Sequence, residues 1–340
     1  AAQDQALLLF GEEVMRLLAL CSTISEHVSQ QTQVRVALGK ESHIVSLANV
    51  ADGAWDWSMD ILDSLQRLMD TPSFIAILEE LVQHDDALVR SRTITILTER
   101  LTVLLDGLDQ RNRSGSGRKH RNKKKDADMV VERGLYRDLL LVLRDKLDEF
   151  SFNNDDADDA DDADDAENSV SGIDSGKADC LLLCIDILAN AECLRGGSQE
   201  GAAEWNAQLQ DTLEYVLAFA TRIHQALENQ DHDDQDQLTG LVSILGSTLL
   251  CLGTLVKALG PIALPHLQRV LQLVMDSTDR ERQKLSSFTT TASSMSNEDN
   301  VDENDDEDRI DSKRAKVGVM LIRAAAMSSA NIVESLPQFC

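Results

Sequence analysis

Residues 72–105 read PSFIAILEELVQHDDALVRSRTITILTERLTVLL, and they decide the fold. Phe74, Ile77, Leu78, Leu81 and Val82 recur at spacings of one, three or four, so they share one face of a helix that opens after Pro72. The polar break His84-Asp85-Asp86 ends that helix. Ile94, Leu97, Leu101, Leu104, Leu105 and Leu108 then give a second helix the same period. Asp85 is placed to cap the N-terminus of the second helix, and Arg90 to bridge to an acid of a neighbouring unit. The plainer reading of these two residues is an ordinary cap and a solvated surface charge. Two short amphipathic helices joined in this way bury their apolar faces fully only against further units of the same kind.

The same pairing recurs along the chain. Leu135, Leu139, Val142, Leu143 and Leu147 precede a helix through Leu181, Leu182, Ile185 and Leu188. Leu209, Leu213, Val216, Ala220, Ile223 and Leu227 precede the stretch Leu238 to Val256. A fourth pair opens at Pro261, with Leu264, Leu267, Leu271 and Val274, and continues through Val317, Leu321, Ala324 and Met327. Helix pairs recurring at about 40 residues, once insertions are removed, are the signature of HEAT or armadillo-type solenoids. The acid, Val89 and Arg90 at the opening of a second helix resemble the HEAT pattern. The expected fold is therefore all-α, an α-solenoid of HEAT-type antiparallel helix pairs, with Asp85, Val89, Arg90 and Pro261 as its signature positions. Helices before Met69 belong to the same N-terminal set, residues 1–110.

Composition agrees with this reading and excludes others. The 340 residues carry 59 acidic against 32 basic side chains, a formal charge of −27, with 43% hydrophobic but only 4% aromatic residues and 4 prolines. That balance excludes collagen, a disulfide-stapled miniprotein and a wholly disordered chain, and argues against a sheet protein. The 6 cysteines match neither a metal-knuckle nor a secreted-framework spacing, which fits a reducing compartment. Leu238 to Val256 is uncharged over a length that spans a bilayer, but its bulky residues keep one heavy face, as a buried helix of an array requires. The opening Ala1-Ala2-Gln3 has no leader pattern, and the chain reads as an internal stretch of a longer protein.

Three charged segments, 111–128, 150–176 and 277–312, lack apolar periodicity and are predicted to be disordered inserts, the last two interrupting the repeats of 129–340. The first is basic. Its Arg118, Lys119, Arg121, Lys123, Lys124 and Lys125 suit either RNA phosphates or a nuclear-import receptor. The second holds the repeat Asp155-Asp156-Ala157-Asp158-Asp159-Ala160-Asp161-Asp162-Ala163-Asp164-Asp165. Ser171 and Ser296 each precede an aspartate by three residues and are candidate sites for an acid-directed kinase. Both acidic inserts fall within helix pairs and the basic one between pairs, so an array would carry an acidic edge opposite a basic tether.

No G-x-S-x-G, Walker A, G-x-G-x-x-G, H-E-x-x-H or paired Cys-x-x-Cys occurs, and the 7 histidines are scattered. The expectation is a protein that is not an enzyme and takes no cofactor, metal or small-molecule substrate. Trp55 and Trp57 open a helix, where packing accounts for them better than base stacking.

Three stretches carry a more particular likeness: FIAILEELVQHDDALVRSRTITILTERL at 74–101, LGSTLLCLGTLVKALGPIALPHLQRVLQL at 245–273, and KVGVMLIRAAAMSSANIVESLPQF at 316–339. Together they resemble the C-terminal half of the large HEAT-repeat scaffold family of the small-subunit processome. This is the family of U-three small nucleolar RNA-associated protein ten, known in animals as a HEAT-repeat-containing nucleolar protein. The resemblance implies a non-enzymatic nucleolar scaffold acting in small-subunit processome assembly, pre-18S rRNA processing and linked ribosomal DNA transcription. Its implied partners are other processome proteins, the U-three snoRNP and pre-rRNA, with no membrane. Two other classes share helix pairs: a karyopherin-like transport carrier, which a basic insert fits poorly, and a phosphatase-type regulatory HEAT scaffold, which usually has short turns.

Overall fold

The computed structural model describes residues 69–114, 123–148, 174–195, 199–229, 235–294 and 305–335. Among these residues there is no strand. The described residues are all-α. They contain α1 (Thr71–Val82), α2 (Ala87–Ser114), α3 (Lys123–Leu147), α4 (Ser175–Asn190), α5 (Gln199–Asn229), α6 (Gln235–Leu259), α7 (Leu264–Ser294) and α8 (Asp305–Ser335), with short 3-10 turns at Glu192–Leu194 and Gly260–Ala263. Two compact units divide the chain, residues 1–139 and 140–340.

In the first unit, Asp70 caps α1 by accepting from the Ser73 amide at 3.2 Å, just where Pro72 needs no backbone donor. The apolar face expected from the sequence is buried: Phe74, Ile77, Leu78, Leu81 and Val82 pack with α2, whose Val89, Ile96, Leu97, Leu101 and Leu104 are buried in turn. Arg100 reaches back along this contact, donating to the Met69 carbonyl at 3.0 Å with its guanidinium 4.7 Å from the centre of the Phe74 ring.

In the second unit, α6 is the central element and packs against α4, α5 and α8, while α8 also packs on α7. Two series of contacts give the directions. Gly240 lies against Ser175, Ser243 donates to Asp179 at 2.9 Å, and Thr254 hydrogen-bonds Asp186, so α4 and α6 run parallel. Gly246 meets Leu321 and Ala324, Gly253 meets Ser328, and Lys257 pairs with Glu334 at 2.8 Å, so α6 and α8 are parallel as well. On α5 and α7 the same order holds: His266 lies 3.4 Å from Glu214, and Arg280 donates to the Leu227 carbonyl. Alternate helices therefore run side by side in the same sense. The uncharged stretch 238–256 is enclosed by these neighbours, with Leu241, Leu245, Leu249, Leu252, Leu255 and Val256 all buried. Its length and hydropathy, like those of residues 316–334 in α8, equal those of a membrane-crossing helix. In α6 the apolar surface is taken up inside the unit.

One expectation fails over much of its length. Residues 277–294 continue α7 without a break and 305–312 open α8, where 277–312 was expected to lack regular structure. The physical reason is that the apolar period stops at Val274 while the helix does not. Glu, Arg, Gln and Lys are good helix formers, Ser277 and Glu281 are buried, and the Arg280 bond to the last turn of α5 anchors this extension. The expected inserts 111–128 and 150–176 are likewise trimmed, since α2 runs to Ser114, α3 starts at Lys123 and α4 starts at Ser175.

Candidate interaction surface

The signature turn is built differently from its expected form. Asp86, not Asp85, caps α2: its Oδ1 accepts from the Leu88 amide at 2.7 Å, and its own amide donates to His84 Nδ1 at 3.0 Å. Asp85 is exposed. Val89 is buried in the α1–α2 contact. Arg90 is also buried, and its Nη1 donates to the His84 and Asp85 carbonyls at 2.6 and 2.8 Å. It is neither a solvated charge nor simply a bridge to another unit; it fastens the turn from below.

Pro261 sits at the corner between α6 and α7. Gly260 takes a left-handed φ of 53°, a conformation that costs an L-residue about 1–2 kcal/mol, and Pro261 follows because no further α6 amide is needed. Arg118, Lys119, Arg121, Ser171, Ser296, Trp55, Trp57 and the aspartate repeat 155–165 lie outside the described residues. Lys123, Lys124 and Lys125 form the first turn of α3, so half of the basic run is helical backbone where an unstructured insert was expected.

Between α4 and α6 runs a polar seam that the sequence did not single out. Asp179 accepts from Ser243. Asp186 is held by Thr254, and burial raises its carboxyl above the ordinary range, the Thr254 bond opposing this in part. The same two helices carry the buried thiols of Cys180, Cys184 and Cys251, none of them in a disulfide. The Cys184 thiol is pushed up by its hydrogen bond with Cys180 and by burial, and that of Cys251 by burial and the Asp186 charge. Thiols raised in this way are poor nucleophiles. Among the described residues no three His, Cys, Asp or Glu side chains converge on a metal-sized site.

Because Asp186 has a raised folded-state pKa, it costs nothing below the unfolded carboxylate value and lowers stability as pH rises through its folded value. Asp186→Asn should therefore raise the unfolding free energy at neutral pH by about 1 kcal/mol, the scale of a buried group poorly compensated for lost water. The gain should shrink toward pH 2.5, well below the ordinary carboxyl value of about 3.9, where wild type is protonated in both states. Urea unfolding at the two pH values checks this, and an equal difference at both would show that charge is not the cause.

No family model, curated protein or solved structure matches the chain.

What the described surface offers is therefore read from its own chemistry. The outer face of α5 is acidic, with Glu204, Asp211 and Glu214 exposed. On α7, Leu264, Leu271 and Met275 line an open apolar groove edged by Gln268, Gln272 and Asp276. On α8, Val319, Met320, Met327 and Val333 are exposed. Exposed apolar faces of this kind are the chemistry of an interaction surface.

Proposed function

We propose that the chain is a HEAT-type α-solenoid acting as a non-enzymatic nucleolar scaffold in ribosome biogenesis. The observation that carries the scaffold reading is the alternation in the second unit: α4, α6 and α8 lie parallel, while α5 and α7 lie parallel and pack against α6 and α8 respectively. Stacked helix pairs produce this order, and each unit then leaves long outer faces for partners. The α1–α2 hairpin, with its Asp86 cap, buried Val89 and Arg90 clasp, supports the same unit.

The assignment to the small-subunit processome rests on the resemblance of 74–101, 245–273 and 316–339. Its partners in this reading are other processome proteins, the U-three snoRNP and pre-rRNA, and its compartment is the nucleus and nucleolus. The basic run supplies the RNA contact or the import signal. Co-purification with pre-ribosomal RNA is the deciding experiment, and recovery with a Ran-type GTPase instead would favour a transport carrier.

A binding measurement separates the two roles of the basic run. If Arg118, Lys119, Arg121, Lys123, Lys124 and Lys125 contact single-stranded RNA, log affinity should fall with log salt at a slope of roughly −4, about −0.7 for each of six contacts. Neutralising all six should flatten it. Tight RNA binding that survives those substitutions would place the contact elsewhere.

A further inference from the structure

We infer that Thr71 is a phosphorylation site for a proline-directed protein kinase, and that the phosphate loosens the first half of α3 from α1. Thr71-Pro72 is the one place in the 340 residues where a serine or threonine precedes any of the 4 prolines. It stands at the N-terminal end of α1, with Asp70 and Pro72 exposed and Thr71 half-buried. The residue before a proline is disfavoured in the helical region, so this first turn opens at little cost into the extended form that a kinase cleft takes.

The bond that the hydroxyl makes gives the modification its effect. Thr71 Oγ1 donates to Glu132 Oε1 at 2.9 Å, tying the start of α1 to α3. The tie falls where apolar burial does not yet hold α3: Val130 and Val131 are exposed, residues 132–135 are half-buried, and Tyr136 is the first buried side chain described on this helix. A kinase transfers the γ-phosphoryl group of ATP to the hydroxyl. The bond from Oγ1 to phosphorus forms, the bond from that phosphorus to the β,γ-bridging oxygen breaks with ADP leaving, and the hydroxyl proton passes to the kinase's base. The oxygen that donated then has no hydrogen to give, and a group of about −1.5 to −2 charge faces the Glu132 carboxylate in its place. An attraction becomes a repulsion. Of the groups around the phosphate, Asp70 and Glu132 repel it. The positive end of the α1 dipole attracts it, as does Arg100, which already bonds the Met69 carbonyl two residues earlier and has a buried Nε–H without a hydrogen-bond partner. The net pull is toward α1 and α2 and away from α3. Lys123, Lys124 and Lys125 open the half of α3 so released, and the site stands whether or not they bind RNA.

Treating the purified 340-residue chain with a proline-directed kinase and MgATP tests the inference, read by fragment mass spectrometry and by hydrogen exchange. The expected results are phosphate on Thr71 and amides of 130–135 that exchange about tenfold faster than in the unmodified chain, with α6 unchanged. Thr71→Val removes the donor without adding charge; it should take no phosphate at this position and speed the same amides by about threefold. Glu132→Lys replaces the repelling carboxylate by an ammonium group, so phosphorylation should now slow these amides, a reversal that a damaged fold cannot imitate. Absence of phosphate on Thr71 overturns the site. Phosphate on Thr71 with exchange unchanged, or with exchange equally faster in Glu132→Lys, overturns the release of α3.

Discussion

Gly253→Ala is expected to lower stability by about 2 kcal/mol, although alanine is the better helix former. A Cβ added there would lie 2.7 Å from Ser328 Cα, 2.7 Å from its Oγ and 3.1 Å from its Cβ. The nearest atom is backbone, so rotating a side chain does not relieve the contact; α6 and α8 must separate along their closest approach. The same substitution elsewhere has the opposite sign. At Gly134 a new Cβ meets nothing within 4 Å, and Gly134→Ala should gain about 0.5–1 kcal/mol. At Gly246 the nearest atoms are 3.7 and 3.8 Å away, ordinary packing distances, so no loss is expected. Ser328→Gly combined with Gly253→Ala should restore only part of the loss, because it removes the Oγ and Cβ contacts and leaves the Cα. Denaturant unfolding of the four variants checks the order, and a stabilised Gly253→Ala would show that the two helices are not held at this distance.

How much of this was legible in the sequence depends on what each feature is made of. Apolar periodicity placed α1, the start of α2, α5 and α6 because burial there is carried by Leu, Ile, Val and Phe, which announce their face. It also paired α1 with α2, α5 with α6 and α7 with α8, all of which are in contact. The polar half of α7 gave no such signal: beyond Val274 its buried positions are Ser277 and Glu281, residue types that the period does not register. Gly246 and Gly253 look alike in the chain, and only the positions of Leu321 and Ser328, some 75 residues away, make one roomy and the other tight. The cap shows a finer limit. Asp85 and Asp86 are equally able acceptors, and the choice between them is made by one residue of helix phase, set by Val89 turning inward. The Asp179–Ser243 and Asp186–Thr254 pairs were missed because polar residues on two separate helices have no mutual period.

Arg90→Ala should cost about 2 kcal/mol, and its effect should be local to α1 and α2. A guanidinium bond to a carbonyl contributes more than a neutral one, and Arg90 makes two, to consecutive carbonyls of the turn. Those carbonyls, His84 and Asp85, stand where α1 has ended and α2 has not yet begun, and the neighbouring amides of His84 and Asp86 bond to the Leu81 carbonyl and the His84 ring. Removing the side chain also takes a buried aliphatic stem from beside Val89. Arg90→Lys keeps the charge but lacks the fixed planar fork, and it should recover less than half of the loss. Hydrogen exchange separates a clasp from a surface charge: amides of 87–97 should exchange about tenfold faster or more in Arg90→Ala, with α6 unchanged. If Arg90 acted chiefly through a charge on another unit, Arg90→Lys would behave as wild type and high salt would remove the difference between them.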